Sequence, residues 1–227
     1  GEVCDGLSFT NLTLYSPNSN RVLVRDLTLD IPKGSHVLIH VTSQSARQAL
    51  IRATAGIWMC GEGLISRPAP DTILFLPQRP YLPPGTLREL LLRTNDAGAN
   101  NTEMLVELLE SLGIGNVIKR AEGLDNEIRW NDTLSLGEQQ MITVARLLLA
   151  KPDYVFLDRP GSALGEEGLR RVLNIFTERG ISYLTIGARN DPEESYNLFI
   201  DIAYDGSWLC YDEKPGHWSN PPSENDN

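Results

Sequence analysis

The sequence predicts an α/β domain built on a mainly parallel sheet. Four short apolar runs, which begin at His36, Thr72, Tyr154 and Ser182, alternate with segments of helical periodicity. Short and almost continuously apolar strands are typical of parallel sheets that are covered by helices on both faces. Such sheets bind ligands beyond the carboxyl ends of their strands, so the loops after these four strands are where a functional site is expected.

Composition limits the class of protein. The chain has 227 residues, a formal net charge of −10 and a hydrophobic content of 41%, which suits one large domain. The acidic balance argues against a nucleic-acid partner. Cys4, Cys60 and Cys210 are far apart and form no C-x-x-C motif, so reduced thiols are expected. No basic apolar leader and no run of ~18 apolar residues is present, so any membrane role is expected to come through a partner or a missing segment.

Periodicity and turn residues predict the elements of the first third. Alternating apolar residues favour strands, and a spacing of three and four favours a helix. Gly61-Glu62-Gly63 is interpreted as a turn. The predicted strands are 7–14, 22–31, 36–41 and 72–76, the predicted loop is 42–46 and the predicted helix is 47–57.

The middle of the chain is predicted to be a mainly helical insertion between two strand-bearing regions. Thr86 is the expected N-cap of its first helix, because a threonine hydroxyl accepts a backbone N–H at that position. Gly180 is expected to end a later helix. The predicted helices are 87–93, 103–112 and 166–179, the predicted closing hairpin is 198–203 with 207–211, and the predicted disordered tail is 212–227.

Residues 134–158 carry the most informative pattern. A small polar turn over 135–137 leads into a helix from 138 to about 149, and Pro152 marks the loop that follows. A buried strand over 154–157 then ends on Asp158. This order can place a phosphate-binding helix N-terminus and a magnesium-binding carboxylate on one frame.

Four segments together resemble the motifs of the nucleotide-binding domains of ATP-binding-cassette (ABC) transporters. LSLGEQQ (134–140) is similar to the signature motif, usually LSGGQ, and YVFLD (154–158) is similar to the Walker B strand. LPQRPYLPPGTLRELL (76–91) resembles the Q-loop with the entry to the helical subdomain, and SALGEE (162–167) resembles the D-loop. The sequences of these motifs are most similar to those of the peroxisomal fatty-acyl half-transporters and their bacterial relatives.

The resemblance covers residues 7–211 and implies a P-loop NTPase-like ABC ATPase fold. It implies an antiparallel β portion, an α/β core with a mainly parallel sheet, and a helical subdomain. It also implies ATP and Mg²⁺ as cofactors. The implied partners are a transmembrane domain, at the cytoplasmic face of a membrane, and a second nucleotide-binding domain in a head-to-tail dimer. The implied ranges are 7–35 for the β portion, 36–78 and 141–211 for the core, and 79–140 for the helical subdomain.

The phosphate-binding loop departs from the family pattern. That pattern is G-x-x-x-x-G-K-[ST] and its glycines allow close backbone approach to phosphate. No glycine remains here, Arg47 replaces the lysine and Gln48 replaces the hydroxyl that binds Mg²⁺. The eight positions fall on Val41, Thr42, Ser43, Gln44, Ser45, Ala46, Arg47 and Gln48.

Other active-site positions of the resemblance are also replaced. Arg159 stands where the family has the glutamate that polarises the attacking water, and a guanidinium cannot accept that proton. Gly165 replaces the D-loop acid and Ala188 replaces the switch histidine. The positions that keep the family residue are Gln78, Ser135, Gly137, Asp158 and the aromatic Tyr15, which sits where the family stacks adenine.

Each of these residues also has a structural interpretation. Tyr15 either stacks on adenine or packs as a half-buried turn residue, and Gln78 either binds metal or water or acts in a hinge. Asp158 either binds metal, pairs locally with Arg159 or points to a different face from it. Arg47 and Arg159 can also form an anion site on their own. Structural roles are expected for His36, His40, Trp58 and Trp130.

Three functions remain open. The first is a catalytically degenerate nucleotide-binding domain whose signature turn completes a partner's ATP site. The second is a pseudo-ATPase that acts as an interaction or regulatory module without nucleotide. The third is a working ATPase that uses Arg47 and Asp158 in an unusual geometry. The first is favoured, because LSLGEQQ and Gln78 are kept while the phosphate loop is lost.

Overall fold

The computed structural model describes residues 6–69, 72–92, 101–187 and 191–213. Strands and helices alternate along most of this range. The strands are β1 (Leu7–Tyr15), β2 (Val22–Ile31), β3 (His36–Val41), β4 (Gly61–Ser66), β5 (Ile73–Leu76), β6 (Tyr154–Asp158), β7 (Ser182–Ile186), β8 (Leu198–Ile202) and β9 (Trp208–Tyr211). The helices are α1 (Gln44–Thr54), α2 (Leu87–Leu91), α3 (Thr102–Ser111), α4 (Asn116–Arg120), α5 (Trp130–Thr133), α6 (Leu136–Ala150) and α7 (Gly161–Glu178).

The strands form two sheets. The larger has the order β5-β6-β7-β3-β8-β9, and its strands are parallel except β9, which pairs antiparallel with β8. The smaller is antiparallel, with the order β2-β1-β4. The predicted fold class, a mainly parallel sheet with an antiparallel β portion and helices, is therefore confirmed. The exact division at residues 36, 79 and 141 stays a prediction.

Both faces of the parallel sheet are buried, as its short apolar strands predict. Leu38 and Leu157 belong to a core shared with α2, α3, α6 and α7 on one face. Val37 and Ile39 belong to a second core, shared with α1 and the antiparallel sheet on the other face. Alternation along β3 therefore assigns successive side chains to different cores, because neighbouring residues of a strand point to opposite faces.

The predicted turn at 61–63 is wrong, because these residues begin β4. Gly61 and Gly63 are needed for a different reason, which is close contact with β1 across an irregular register. A Cβ atom on Gly61 would lie 2.6 Å from the carbonyl oxygen of Thr13, and one on Gly63 would lie 2.4 Å from that of Asn11. Gly63 also has φ of +101°. Glycine here marks close backbone approach within a sheet.

The predicted loop over 42–46 is wrong for residues 44–46, which are helical, whereas Thr42 and Ser43 do form a short link. Helix α1 begins at Gln44 and ends at Thr54, so it starts and ends about one turn before the predicted helix. Ser43 is its N-cap, with the side-chain oxygen accepting a hydrogen bond from the backbone N–H of Ala46 at 3.4 Å. Serine is a favoured N-cap, and this signal competes with the expectation of a long loop.

Several other predictions are confirmed. Thr86 caps α2 and forms a capping box with Glu89, and the hairpin of β8 and β9 is present. Helices α4 and α5 were not predicted, because each is about one turn long. The predicted tail from residue 214 onward and Cys4 lie outside the described residues. Within the described ranges, no helix is both long and apolar enough to cross a membrane.

The two histidines of β3 have structural contacts. His36 stacks on Tyr183 of β7, with ring centroids 4.2 Å apart and planes 4° from parallel, and burial lowers the pKa of His36. His40 Nδ1 lies 2.8 Å from a carboxylate oxygen of Asp201 on β8. Trp130 is buried and its indole N–H donates to the carbonyl of Gly85, whereas Trp58 is only partly buried at the edge of the second core.

The close approach at Gly63 gives a stability prediction. Gly63→Ala should lower the free energy of unfolding by at least about 3 kcal/mol, because it adds both a backbone clash and a positive-φ penalty. Gly34 is the matched control, since its φ is +92° but a Cβ there would meet nothing within 4 Å. Gly34→Ala should cost about 1–2 kcal/mol. Urea denaturation measures both, and equal losses would contradict the contact between β4 and β1.

Candidate functional site

The carboxyl ends of β3, β5, β6 and β7 meet at one edge of the parallel sheet. At β3 the connection to the following helix is short, because only Thr42 and Ser43 separate Val41 from the first residue of α1. The backbone N–H of Thr42 donates to the carbonyl of Ile202 on β8. The chain therefore passes from strand to helix through a link of two residues.

The first turns of α1 distribute the predicted loop residues by helical periodicity. Gln44, Ser45 and Gln48 are exposed, whereas Ala46 and Arg47 are buried. Since residues three to four apart share one face of a helix, positions 46 and 47 continue the buried face of α1. The arginine is thereby directed into the protein, beneath the edge where a ligand would bind.

The buried arginine forms an ion pair with the acid at the end of β6. Arg47 Nη1 lies 2.6 Å from Asp158 Oδ1, and the two side chains are 10% and 23% exposed. Charge-assisted contacts of this length are among the stronger hydrogen bonds in proteins. Asp158 therefore pairs with Arg47 rather than with its neighbour Arg159, and Arg47 is not available for an anion site shared with Arg159.

Arg159 has a strained backbone and an exposed side chain. Its φ is +50°, a left-handed conformation that favours glycine. Its N–H donates to the carbonyl of Ile186 on β7 at 2.8 Å, and its carbonyl accepts from the Ser162 hydroxyl at 2.8 Å. These two bonds hold the turn between β6 and α7. The side chain lines a cavity of about 410 Å³ with Gln78 and Ser162.

Gln78 lies in the loop after β5 and is half-buried. Its side-chain N–H₂ lies 3.4 Å from the Ser162 hydroxyl. Its backbone carbonyl accepts a hydrogen bond from the side-chain N–H₂ of Gln140 at 2.9 Å. Gln140 is fully buried on α6 and ties this helix to the Gln78 loop. Gln140 was not among the predicted site residues, although a glutamine on the inner face of a helix is the signal that could have found it.

The signature-like turn is closed by its own helix cap. The Ser135 hydroxyl donates to Glu138 Oε2 at 3.0 Å and accepts from the Glu138 N–H at 3.3 Å. Burial alone would raise the pKa of Glu138, but the N–H and hydroxyl of Ser135 and the Arg120 guanidinium outweigh it and lower that pKa. The spacing S-x-x-E is a capping-box pattern, so Glu138 could have been found from the sequence.

Gly137 allows α6 to approach α7 closely. A Cβ atom at this position would lie 2.8 Å from the carbonyl oxygen of Ala163, in the first turn of α7. The glycine therefore brings the turn of the 134–140 segment against the segment that resembles the D-loop. Ser162 of the D-loop-like segment lines the cavity beside Gln78 and Arg159, so Gly137 has a structural role next to this cavity whether or not a ligand binds there.

Tyr15 has its hydroxyl engaged within the antiparallel sheet. The hydroxyl donates to Glu62 Oε1 on β4 at 2.7 Å, and this hydrogen bond raises the pKa of Tyr15. Its ring is half-buried. A stacking role for this ring stays a prediction. Ala188 lies outside the described residues.

The residues that the resemblance offers as magnesium ligands have other surroundings in the described chain. Mg²⁺ takes oxygen ligands in a near-octahedral shell. The Asp158 carboxylate is engaged by Arg47, and Gln48 is exposed and carries no hydroxyl. Across the described ranges, no group of three His, Cys, Asp or Glu side chains could hold a metal ion.

The fold matches one part of a solved ABC exporter. A bacterial Atm1-family ABC exporter solved with ATP bound matches the chain with a TM-score of 0.75 at 19% sequence identity. The match covers 91% of this chain and 38% of that chain. At this identity it defines the architecture, which is the ABC-type nucleotide-binding fold, and says nothing more of the site. No family model matches the sequence.

Sequence relatives define the family. An ABC transporter ATP-binding protein of Synechocystis is 37% identical over 202 residues, which is 89% of this chain and 31% of that protein. The human lysosomal cobalamin transporter ABCD4 is 32% identical over 207 residues, which is 87% of this chain and 34% of the transporter. The chain belongs to the family of ABC transporter ATP-binding domains, with relatives in subfamily D. It spans about a third of the length of these relatives.

The Arg47–Asp158 pair gives the first prediction for the site. Arg47→Met should lower the free energy of unfolding by about 1–3 kcal/mol, because it leaves a mostly buried carboxylate without its partner. Asp158→Asn in the Arg47→Met background should recover part of the loss, since it removes that charge. A double-mutant cycle in urea measures the coupling.

Lys33 and Asp153 provide the control pair, because their side chains are 59% and 36% exposed. Lys33→Met should cost less than about 1 kcal/mol, as exposed ion pairs usually do. A coupling energy near zero between Arg47 and Asp158 would contradict the assignment of this pair.

The backbone of Arg159 gives a second prediction. Arg159→Gly should be more stable than Arg159→Ala by about 1 kcal/mol, because only glycine adopts the left-handed conformation without steric cost. The two variants lose the same side-chain charge, so the comparison isolates the backbone. Thermal denaturation measures the difference. An alanine variant as stable as the glycine variant would show that the turn after β6 relaxes out of this conformation.

Proposed function

We propose that this chain is a degenerate nucleotide-binding domain of an ABC transporter. In this proposal its own site is impaired in binding and hydrolysing ATP, and its signature turn completes the ATP site of a second nucleotide-binding domain. The observation that supports the first part is the Arg47–Asp158 pair, in which the residue at the lysine position contacts the acid at the end of the Walker B-like strand directly. The helix that begins at Gln44 removes the loop that would surround the phosphate.

Hydrolysis is disfavoured further by Arg159. A general base must accept a proton, and a guanidinium cannot do so near neutral pH. Each lost catalytic group typically costs several kcal/mol of transition-state stabilisation. The active-ATPase alternative would need Arg47 and Asp158 to separate before either could serve a nucleotide.

The proposed partners are a transmembrane domain and a second nucleotide-binding domain. A cavity of about 240 Å³ between β5 and α6 supports the first, because its lining includes Leu74, Phe75 and Pro80. Tyr81 on its rim is 73% exposed, which is unusual for a large aromatic side chain. We place this surface against a segment of the transmembrane domain, at the cytoplasmic face of a membrane.

One observation favours a second candidate, a nucleotide-independent interaction module. The Ser135 hydroxyl and N–H, which would meet a partner's phosphate, are both engaged by the Glu138 carboxylate. A phosphate has to compete with this internal anion for the same donors. The two candidates differ in whether pairing with a competent domain depends on ATP.

Titration calorimetry separates the candidates. The isolated chain should bind Mg-ATP weakly or not at all, and micromolar binding would count against both. Mixed with a competent homologous domain, it should form an ATP-dependent pair that Ser135→Arg abolishes. Ser111→Arg is the control, because Ser111 is exposed at the end of α3. Pairing without ATP would favour the interaction module, and the absence of any pairing would reject the partner-completing role.

Restoring the phosphate loop gives a further prediction. Replacing residues 41–48 by the glycine-containing family pattern with lysine and serine should recover nucleotide binding but not turnover, because Arg159 still occupies the position of the base. Equilibrium binding and phosphate release are measured on the same protein. Recovered turnover from the loop alone would overturn the role assigned to Arg159, whereas adding Arg159→Glu should be required for hydrolysis.

A further inference from the structure

A second concave surface lies at the opposite edge of the parallel sheet. It is a cavity of about 520 Å³, formed where α6 ends before β6 and where α7 ends before β7. The candidate site lies at the carboxyl ends of these strands, whereas this cavity lies at their amino ends. The function proposed above makes no use of it, so the two surfaces can be tested independently.

The cavity combines an apolar floor with a basic rim. Leu148, Pro152 and Ile181 line it and are buried. Lys151 and Arg179 line it and are exposed. Small-molecule sites commonly have this composition, in which apolar side chains supply contact area and a few polar groups fix the orientation of the ligand.

The charges at the rim are not balanced within the described residues. Asp153 is the carboxylate that lines the cavity, and it is already paired with Lys33. Among the residues that the structure describes, neither Lys151 nor Arg179 has a carboxylate within ion-pair distance. Two unpaired cations at one concave surface stand out on a chain with a net charge of −10.

The backbone of Lys151 is strained at this cavity. Lys151 is the C-cap of α6 and has φ of +49° and ψ of 58°, a left-handed conformation usually taken by glycine or asparagine. Helix macrodipoles account for a basic residue near the ends of α6 and α7. They do not account for a lysine at a position where glycine would avoid about 1–2 kcal/mol of strain. Strain of this kind concentrates at binding sites.

We propose that this cavity binds a small amphiphilic carboxylate, that is, an apolar body carrying one carboxyl group. The apolar body packs on Leu148, Pro152 and Ile181, and the carboxylate lies between Lys151 and Arg179. The carbonyl ends of α6 and α7 reduce the positive potential of the cavity, whereas Asp153 and Lys33 neutralise each other. A singly charged group is therefore accommodated better than a dianion such as phosphate.

Octanoate is the probe that tests the proposal. Titrated into the ¹⁵N-labelled chain, it should cause saturable chemical-shift changes at residues 148–153 and 179–181. Acetate lacks the apolar body and octanamide lacks the charge, so both should bind more weakly than octanoate. Added salt should weaken octanoate binding, because it screens exposed charges. Octanamide binding as tightly as octanoate, or shifts located elsewhere, would overturn the proposal.

Variants of the two cations locate the carboxylate. Lys151→Gly removes the cation and suits the left-handed backbone, so the fold is retained, and Arg179→Gln removes the second cation. Each should weaken octanoate binding about two- to fivefold, as expected for contacts at an exposed rim. Lys119→Ala, an exposed lysine on α4, should leave binding unchanged. Unchanged binding in Lys151→Gly and Arg179→Gln would show that these residues serve only the helix ends.

Discussion

The ion pair between Arg47 and Asp158 joins the first turn of α1 to the end of β6. In a nucleotide-binding fold these two elements normally face each other across a ligand. Here a side chain of the protein bridges them, so α1 and the parallel sheet are connected directly at this edge. Because only two residues link Val41 to α1, Arg47 lies in the first turns of this helix, where its side chain contacts Asp158.

Other polar groups of the candidate residues also form hydrogen bonds or ion pairs within the chain. The Ser135 donors are held by Glu138, the Glu138 carboxylate is held by Arg120, and the carbonyl of Gln78 is held by the buried Gln140. The Ser135 donors, which a partner's phosphate would meet in the proposed function, thus have a partner within the chain. Binding at these positions must exchange one set of contacts for another, which reduces the net gain in free energy.

The sequence was sufficient for the parallel sheet, because short apolar strands that alternate with helices are buried on both faces in few other architectures. It was sufficient for the family, because LSLGEQQ and YVFLD are specific motifs. Prediction from the sequence was wrong where one residue type can have two structural roles. Gly61 and Gly63 were interpreted as a turn but serve close strand contact, and Ser43 was interpreted as part of a loop but caps a helix. The Arg47–Asp158 contact joins residues 111 positions apart, and only the folded chain determines that distance.

The two-residue link between β3 and α1 makes a glycine-rich phosphate loop difficult to build by single substitutions. A single glycine introduced among residues 44–48 enters the first turns of a helix, where it costs about 1 kcal/mol and gains no phosphate contact. A lysine at position 47 gives up the guanidinium contact with Asp158 before any nucleotide can compensate. Each step towards a working loop is therefore harmful until several are present together. Under the function proposed above, reliance on the nucleotide site of a partner would therefore persist.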